Sequence, residues 1–315
     1  MKSRMVFFPA QGQAALGEIE IPAPARGELL VHNLGCGVCQ AEIKEFLGLF
    51  GHPYPLTRLG HEGIGRVVGM GPEVAGFREG DLVTTLWHPA FQEYNVVRAD
   101  WAYVLPESAA RDPAVWISEP AACALNGALA AAVEPGQRVL LLGAGYMGLL
   151  LVQCLRRAPL GELVVADLEP SRLQRATELG ATAVVHGADL PACVKERGGF
   201  DVVIEATGAA NMIAHAADYL ALRGRLVVFA DHAHHTETVP WARFGAQCLT
   251  VVFANPMLHR DFPENWRAAV RLMLDGKIDQ SRLITHRLPA AQCQELMGIA
   301  ASRRPEYVKG YLSWK

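Results

Sequence analysis

The chain has 315 residues, 51% of them hydrophobic and 19% charged, and a formal net charge of −3. This composition is typical of a globular protein, and the length predicts two domains. The near-neutral charge, without a cluster of basic residues, excludes nucleic acid as a partner. No apolar stretch has the length of a membrane span. Because the seven cysteines come without a secretory segment, we expect a cytoplasmic protein in which they are thiols or metal ligands.

The first part of the chain, to about residue 118, consists of short extended runs separated by Gly and Pro. Such a segment predicts a compact β domain. The clearest runs are residues 28–32, 65–69, 81–85 and 93–97.

From about residue 120, short apolar strands alternate with helices, which predicts a parallel, doubly wound Rossmann sheet in an α/β protein. The predicted strands are 139–142, 163–167, 183–186, 202–205 and 226–229, and the helices are 148–157 and 171–179. The last stretch adds helices at 266–274 and 290–301 and extended runs at 284–288 and 309–312. We therefore predict one domain from residues 1–118 and 256–315, and an inserted Rossmann domain from residues 119–255.

The strand at 139–142 is followed by a Gly-x-Gly-x-x-Gly motif and then by a helix. In such a motif Gly143 permits the tight turn, Gly145 lets the backbone approach a pyrophosphate, and Gly148 lets helix and strand pack closely. The next strand ends in Asp167, nineteen residues after Gly148, where a carboxylate can bind ribose hydroxyls. A doubly wound domain that binds FAD or a nucleotide sugar is the alternative.

Asp167 also predicts NAD as the cofactor, because a 2′-phosphate beside this carboxylate would be repelled. Arg172 is the nearest positive charge, and we expect it on the helix surface. The candidate cofactor-binding residues are Gly143, Gly145, Tyr146, Met147, Gly148, Asp167, Arg172 and Thr207.

Cys39, His61, Glu62 and Glu119 are candidate metal ligands, although their spacing alone leaves each of them as plausible in a core as at a metal. The surrounding residues are more informative. They form, in order, Gly35-Cys-Gly37-Val-Cys39-Gln-Ala41-Glu42, Gly60-His61-Glu62-Gly63-x-Gly65, Gly80-Asp81-x-Val83 and Ser118-Glu119-Pro120, ahead of the glycine motif, and then Phe200-Asp201-Val-Val-Ile-Glu205-Ala-Thr207-Gly208.

With these segments in this order, the chain resembles the zinc-containing medium-chain dehydrogenases, in particular the sorbitol, threonine and polyol dehydrogenase branch. The resemblance covers nearly the whole chain. It implies that residues 1–118 and 256–315 form a GroES-like catalytic domain, and that the protein is an NAD-dependent zinc alcohol dehydrogenase. The expected substrate is a small secondary alcohol or its ketone, of the polyol, cyclitol, sugar or hydroxyethyl type.

The resemblance implies that Cys39 and His61 are zinc ligands. Glu62 and Glu119 would fill two further roles. One of them would be the third zinc ligand, and the other would be a second or water-bridged carboxylate ligand. That branch of the family exchanges these two roles. A thiolate, an imidazole and a carboxylate leave zinc one open position for an alcohol oxygen. Cys36 and Cys39 also form a CxxC pair, as in a zinc ribbon or redox pair. No second CxxC exists, however, and we expect Cys36 to be a packed thiol.

Three departures from the family matter. The four-cysteine lobe that often follows the Gly80-Asp81 strand is missing, which predicts one zinc per chain and no structural zinc. Ala41 stands where a Ser or Thr relays the alcohol proton, and Lys44 stands where some members use His. The proton could therefore pass to a carboxylate beside the metal, Glu62 or Glu119, or through the cofactor ribose to Lys44. The lobe-less chain and its C-terminal end are also similar to the bacteriochlorophyllide hydroxyethyl dehydrogenase subgroup.

Other residues have more than one interpretation. The run Asp231-His232-Ala-His234-His235 could bind metal, form a solvated loop or contact the cofactor. In the family that the chain resembles, the last Rossmann strand pairs edge to edge across a dimer, and here that strand ends at Asn255-Pro256. The resemblance therefore implies a homodimer or homotetramer, in which pairing removes an exposed edge. Aromatic residues that could line a substrate cleft or belong to the core are Phe46, Phe50, Trp87, His88, Phe91 and Trp116.

Two other functions remain open at this stage. A zinc-free enone or quinone reductase of the same superfamily would not need the metal ligands. A non-catalytic nucleotide-binding protein is favoured only by Ala41.

Overall fold

The computed structural model describes residues 1–232, 236, 238–255, 260–302 and 304–314. The chain forms two compact units. The β unit comprises Met1–Ala121 and Arg267–Lys315, and the Rossmann unit comprises Ala122–Trp266. Within the described part of the chain, no helix is both long enough and apolar enough to cross a membrane.

The β unit contains a two-stranded sheet and a seven-stranded sheet. The small sheet pairs β1 and β2, and the large sheet has the order β14-β15-β3-β4-β5-β7, with β6 also paired to β3. The strands are β1 (Lys2–Phe7), β2 (Ala15–Glu20), β3 (Glu28–Val38), β4 (Gly63–Met70), β5 (Leu82–Thr85), β6 (Tyr94–Arg98), β7 (Ala102–Val104), β14 (His286–Pro289) and β15 (Gly310–Ser313).

Two helices lie within the β unit, α1 (Gln40–Phe46) and α9 (Cys293–Ala301). In α9 the buried residues recur at helical spacing and pack against the core that contains Phe8 and Phe91. These residues are Cys293, Leu296, Met297 and Ala300.

The Rossmann unit is built on six parallel strands in the order β10-β9-β8-β11-β12-β13. They are β8 (Arg138–Leu142), β9 (Glu162–Asp167), β10 (Ala183–His186), β11 (Phe200–Glu205), β12 (Leu220–Val228) and β13 (Thr250–Phe253). The helices are α3 (Tyr146–Leu155), α4 (Pro170–Leu179), α5 (Leu190–Arg197), α6 (Met212–Ala216) and α7 (Trp241–Ala246), and the chain enters and leaves the unit within α2 (Glu119–Ala130) and α8 (Phe262–Leu274).

The central strands β8 and β11 explain the position of a ligand site. From β8 the sheet grows through β9 to β10, and from β11 it grows the other way to β13. Ligands of open parallel sheets bind at the carboxyl ends of the strands at such a reversal. Both strands are almost wholly buried, as expected of a parallel sheet covered on both faces.

The α/β class, with a Rossmann-type parallel sheet and a β-rich GroES-like domain, is confirmed. The short strand predicted at 226–229 belongs to the longer β12, which begins at Leu220 because its first half pairs with the start of β11. The helix predicted at 290–301 starts as a 3₁₀ turn at Ala290–Gln292 and becomes α-helical only from Cys293.

Candidate active site

Three strands of the large sheet bring distant residues to one sheet edge. Gly310 of β15 lies opposite Val38 of β3, and Cys36 of β3 lies opposite Gly63 of β4. The sheet register therefore collects the residues just beyond these pairs, which are Cys39, His61, Glu62 and Lys309.

The four predicted metal ligands fall into two groups that overlap at His61. Among the described residues, each group has potential ligand atoms within 4.8 Å of one another. One group is Cys39, Glu42 and His61, and the other is His61, Glu62 and Glu119. Together the two groups contain sulfur, nitrogen and carboxylate oxygen donors.

Glu42 fixes the orientation of His61. Its Oε1 accepts hydrogen bonds from Nδ1 of His61 at 2.8 Å and from the backbone N–H of Gly60 at 3.2 Å, and its Oε2 accepts one from the backbone N–H of Cys39 at 3.0 Å. Because Nδ1 donates to Glu42, the lone pair of the neutral His61 ring lies on Nε2, as in metal-binding histidines. Burial disfavours the imidazolium, but Glu42 and Cys39 outweigh it and raise the pKa of His61 well above its usual value.

Lys309 forms a buried ion pair with Glu62. Its Nζ donates to Oε1 of Glu62 at 2.6 Å, and the two side chains are only 4% and 1% exposed. The other oxygen of Glu62, Oε2, is buried and has no hydrogen-bond partner among the residues that the structure describes. Position 37 must be glycine, because a Cβ there would overlap this oxygen.

The donor set and its charge fit a divalent cation. Burial raises the pKa of the Cys39 thiol; His61 offsets part of this shift, and the Glu62 and Glu42 carboxylates add to it. Burial lowers the pKa of Lys309, but Glu62 and Cys39 outweigh this penalty and raise it above its ordinary value. The carboxylates of this cluster are those of Glu42, Glu62 and Glu119. They share it with the ammonium of Lys309, and a divalent cation would balance their charge. A thiolate, an imidazole and carboxylates are the ligands of catalytic zinc.

The glycine motif has the geometry of a pyrophosphate cradle. Gly143 has φ +99°, and a Cβ on Gly148 would overlap the carbonyl oxygen of Gly143, so both positions require glycine. A Cβ on Gly145, the residue before α3, would meet no atom within 4 Å. This open space above the N-terminus of a ten-residue helix suits an anion. Tyr146 and Met147 form the first turn of that helix.

Asp167 connects the end of β9 to the glycine turn. Its Oδ2 accepts the backbone N–H of Ala144 at 2.7 Å, and its Oδ1 accepts that of Glu169 at 2.9 Å. A carboxylate has further lone pairs, so it can still accept ribose hydroxyls. Arg172 is partly buried rather than fully on the surface, and its Nε has no hydrogen-bond partner.

Thr207 follows β11 and is held by Glu205. Its backbone N–H and hydroxyl both donate to Oε1 of Glu205. The other oxygen of Glu205 bonds to Nε2 of His232 at 2.7 Å. In the histidine run of the sequence, His232 therefore belongs to the carboxyl end of the Rossmann sheet, whereas His234 and His235 lie outside the described residues.

Two family models match the chain. The alcohol dehydrogenase GroES-like domain matches residues 25–107, and the zinc-binding dehydrogenase model matches residues 147–275. Together they cover about two thirds of the chain. The chain belongs to the zinc-containing medium-chain dehydrogenase family. It is thus an oxidoreductase of the alcohol dehydrogenase type that uses a nicotinamide cofactor.

Individual relatives match over nearly the whole length. The D-altritol 5-dehydrogenase of Agrobacterium fabrum is 28% identical in an alignment that covers 90% of this chain and 92% of that protein. A zinc-binding dehydrogenase of Sinorhizobium meliloti 1021 bound to NADP superposes with a TM-score of 0.85 at 24% identity, covering 99% of both chains. An alcohol dehydrogenase of Escherichia coli CFT073 complexed with NADH also gives 0.85, at 23% identity and 99% coverage of both chains.

The aromatic candidates divide into core and site residues. Phe46 and Phe91 are in the hydrophobic core. His88 accepts the backbone N–H of Arg98 at Nε2 and donates from Nδ1 to the carbonyl of Leu86, so both ring nitrogens are used within the protein. Trp87 alone among these aromatic residues has a hydrogen bond described to a candidate ligand, from its indole N–H to Glu119. Phe50 and Trp116 are partly buried.

Lys44 and the expected packed thiol Cys36 are both buried. The Nζ of Lys44 lies 5.8 Å from the ring centroid of Phe50, a cation–π distance. The thiol of Cys36 donates to the carbonyl of Gly37 at 3.3 Å, and Cys36 belongs to neither of the metal-binding groups found among the described residues.

Sequence reasoning missed Glu42 and Lys309. Glu42 had a local signal, because it is the third residue of α1 and its carboxylate accepts the backbone N–H of Cys39 at the helix start. Lys309 had none, since 247 positions separate it from Glu62 and only the sheet register brings the two together.

The ion pair predicts a large cost for removing its cation. Lys309→Met leaves the Glu62 carboxylate buried and uncompensated, so we expect the free energy of unfolding to fall by about 3–5 kcal/mol. Urea denaturation followed by circular dichroism measures this change.

The matched control is the double variant Glu62→Gln/Lys309→Met, which removes both charges and is expected to lose much less stability than Lys309→Met alone. Equal losses in the two variants would contradict a role for the buried charge.

Proposed function

We propose that this protein is a zinc-dependent, NAD-linked dehydrogenase that interconverts a secondary alcohol of the polyol class and its ketone. The observation that carries the proposal is that donor atoms of Cys39, Glu62 and Glu119 each lie within 4.8 Å of a ring nitrogen of His61, while Oε2 of Glu62 is unpartnered among the described residues. The open glycine turn at Gly143–Gly148 in the Rossmann unit supports the proposal of a dinucleotide cofactor. The similarity to the D-altritol 5-dehydrogenase supports the proposed substrate class.

Cys39, His61 and Glu119 would hold the zinc directly, and Glu62 would remain beside it. Oε1 of Glu62 is already engaged by Lys309, which keeps that oxygen from a metal. We assign the role of the third ligand to Glu119, whose Oε1 accepts the indole N–H of Trp87. When bound, zinc supplies Lewis-acid polarisation of the substrate oxygen.

The protein's own residues must orient the ligands and take up the alcohol proton. Glu42 holds Nδ1 of His61 and thereby directs Nε2 to the site. Ala41 has no hydroxyl to relay a proton. Lys44, while charged, has no lone pair to accept one. We therefore infer that Oε2 of Glu62, a buried acceptor without a partner, receives the proton.

NAD is the cofactor that Asp167 favours. The carboxylate is anchored by two backbone N–H groups, so it cannot move away from a 2′-phosphate without losing both bonds. Arg172 lies on the first turn of α4 and could bind either ribose hydroxyls or a phosphate, which leaves Asp167 as the discriminating residue. Tyr146, Met147 and Thr207 complete the proposed cofactor contacts.

Two identical chains would associate through β13. This strand is at the end of the Rossmann sheet, and Phe253 on it is 68% exposed. An unpaired edge is a template for another strand, and pairing with a second copy removes it. We propose a homodimer, or a tetramer built from such dimers; Pro256, the predicted limit of this edge, is outside the described residues.

The zinc content tests the proposed function. We expect one zinc per chain in the purified protein by elemental analysis. Chelation should abolish the NAD-dependent oxidation of polyols, and added zinc should restore it, because the substrate oxygen loses its Lewis acid. Two zincs per chain would contradict the single site, and full polyol oxidation without zinc would contradict the proposed function. A zinc-free protein that reduces enones or quinones instead would support the reductase alternative.

Cofactor preference tests Asp167. The wild-type kcat/KM should be higher with NAD than with NADP. Asp167→Ala should reduce the difference in kcat/KM between NAD and NADP, because it should weaken NAD binding about 10- to 100-fold, the contribution of hydrogen bonds to a charged group. Kinetics with both cofactors measure this, and Gly145→Ala, which should impair both cofactors alike, is the control. A wild-type preference for NADP would overturn the role given to Asp167.

Two variants distinguish the proton acceptors. Glu62→Gln should keep its zinc but lose about 10²- to 10⁴-fold in kcat/KM, the usual contribution of a general base. Lys44→Ala should lose far less. The measurements are pH profiles of kcat/KM with zinc content determined for each variant. If zinc-loaded Glu62→Gln keeps the wild-type rate while Lys44→Ala does not, the proton leaves through Lys44.

A further inference from the structure

Trp87 contacts two of the proposed zinc ligands through two different N–H groups. Its backbone N–H donates to the carbonyl oxygen of His61 at 3.3 Å, and its indole Nε1–H donates to Oε1 of Glu119 at 3.2 Å. His61 precedes β4 and Glu119 begins α2, so these ligands come from separate parts of the chain. A single residue therefore links the two.

The backbone of Trp87 is held in an unfavourable conformation. Its φ is +54°, in the left-handed region that a bulky side chain rarely adopts. Such strain persists only where the surroundings impose it, and it is common at functional sites. A residue that merely covered the metal with an aromatic ring would not need this conformation. The conformation does allow both N–H groups to reach their acceptors.

Neighbouring side chains fix the indole. The ring of Trp101 meets it edge-on at 5.5 Å between centroids, and Arg98 lies over Trp101 at 5.0 Å. The ring of His88 also meets that of Trp101, with 5.4 Å between the ring centroids. The two ring nitrogens of His88 form hydrogen bonds with the backbone of Leu86 and Arg98. The segment that carries Trp87 is thus rigid without a cysteine lobe.

We propose that Trp87 is a positioning residue of the zinc site, whose two N–H groups hold Glu119 and His61 together for the metal. The inference rests on the ligands assigned under the proposed function. Outer partners that hydrogen-bond to ligands orient them, and their loss typically weakens metal binding about 10- to 100-fold.

Two substitutions of Trp87 separate the hydrogen bond from the ring. Trp87→Phe keeps an aromatic ring but removes the donor. Trp87→Gln removes the ring but carries an amide N–H the same number of bonds from Cβ as the indole nitrogen. The readout is the zinc dissociation constant of the metal-free protein, measured by competition with a chromophoric chelator. Trp101→Phe is the matched control, since it alters the stack and leaves the donor in place.

We expect Trp87→Phe to bind zinc about 10- to 100-fold more weakly. We expect Trp87→Gln and Trp101→Phe to stay within about twofold of wild type, the scatter of unconnected sites. The opposite result, in which Trp87→Phe keeps the zinc affinity and Trp87→Gln loses it, would mean that Trp87 contributes only its aromatic ring. That result would overturn the inference. If Trp87→Phe does not fold, Trp87→Gln decides alone: wild-type affinity supports the inference and a 10-fold loss overturns it.

A double-variant cycle with Glu119→Gln separates this inference from the proposed function. If Trp87 acts through the Glu119 carboxylate, Trp87→Phe should cost much less in the Glu119→Gln background than in wild type. Equal costs in both backgrounds would overturn the inference while leaving Glu119 a ligand. If Glu119→Gln by itself leaves zinc affinity unchanged, the ligand assignment in the proposed function fails instead.

Discussion

The buried ion pair between Lys309 and Glu62 is the constraint on which the proposed metal site depends. Both charges are almost fully removed from water, so neither can be lost without leaving the other uncompensated. The pair exists only because β15 lies beside β3 and β3 beside β4 in one fixed register. A slip of one residue would turn Lys309 to the other face of the sheet. The C-terminal strand is thus as much a part of the site as the segments that supply Cys39 and His61.

Each residue of the proposed site is held by a group outside the proposed ligand set. Glu42 holds His61 and the backbone of Cys39, Lys309 holds Glu62, and Trp87 holds Glu119. In the proposal, two carboxylates that look alike in the sequence have different tasks. Glu62 has an ion pair on Oε1 and an Oε2 that is unpartnered among the described residues, which suits a proton acceptor, whereas Glu119 is the proposed metal ligand.

The Rossmann unit is organised by a simpler steric requirement. Gly148 must lack a side chain so that α3 can approach the turn at Gly143, and Gly145 must lack one so that the approach to the helix N-terminus stays open. Asp167 then ties the next strand to this turn through the N–H of Ala144. The residues that would bind pyrophosphate and ribose are therefore coupled by one hydrogen bond, and a change at Asp167 acts on the turn as well as on cofactor choice.

The sequence by itself determined what depends on local periodicity and on short motifs. The alternation of strands and helices after residue 120 predicted the parallel sheet, and the glycine spacing with Asp167 predicted the dinucleotide cradle, because these signals lie within a few dozen residues. Glu42 could have been found in the same way, from its place three residues into α1. Lys309 and Trp87 could not. Their roles arise from partners 247 and 32 positions away. Only the tertiary structure decided them, because strand register and backbone conformation determine which buried groups meet, and neither is encoded in the spacing of residues along the chain.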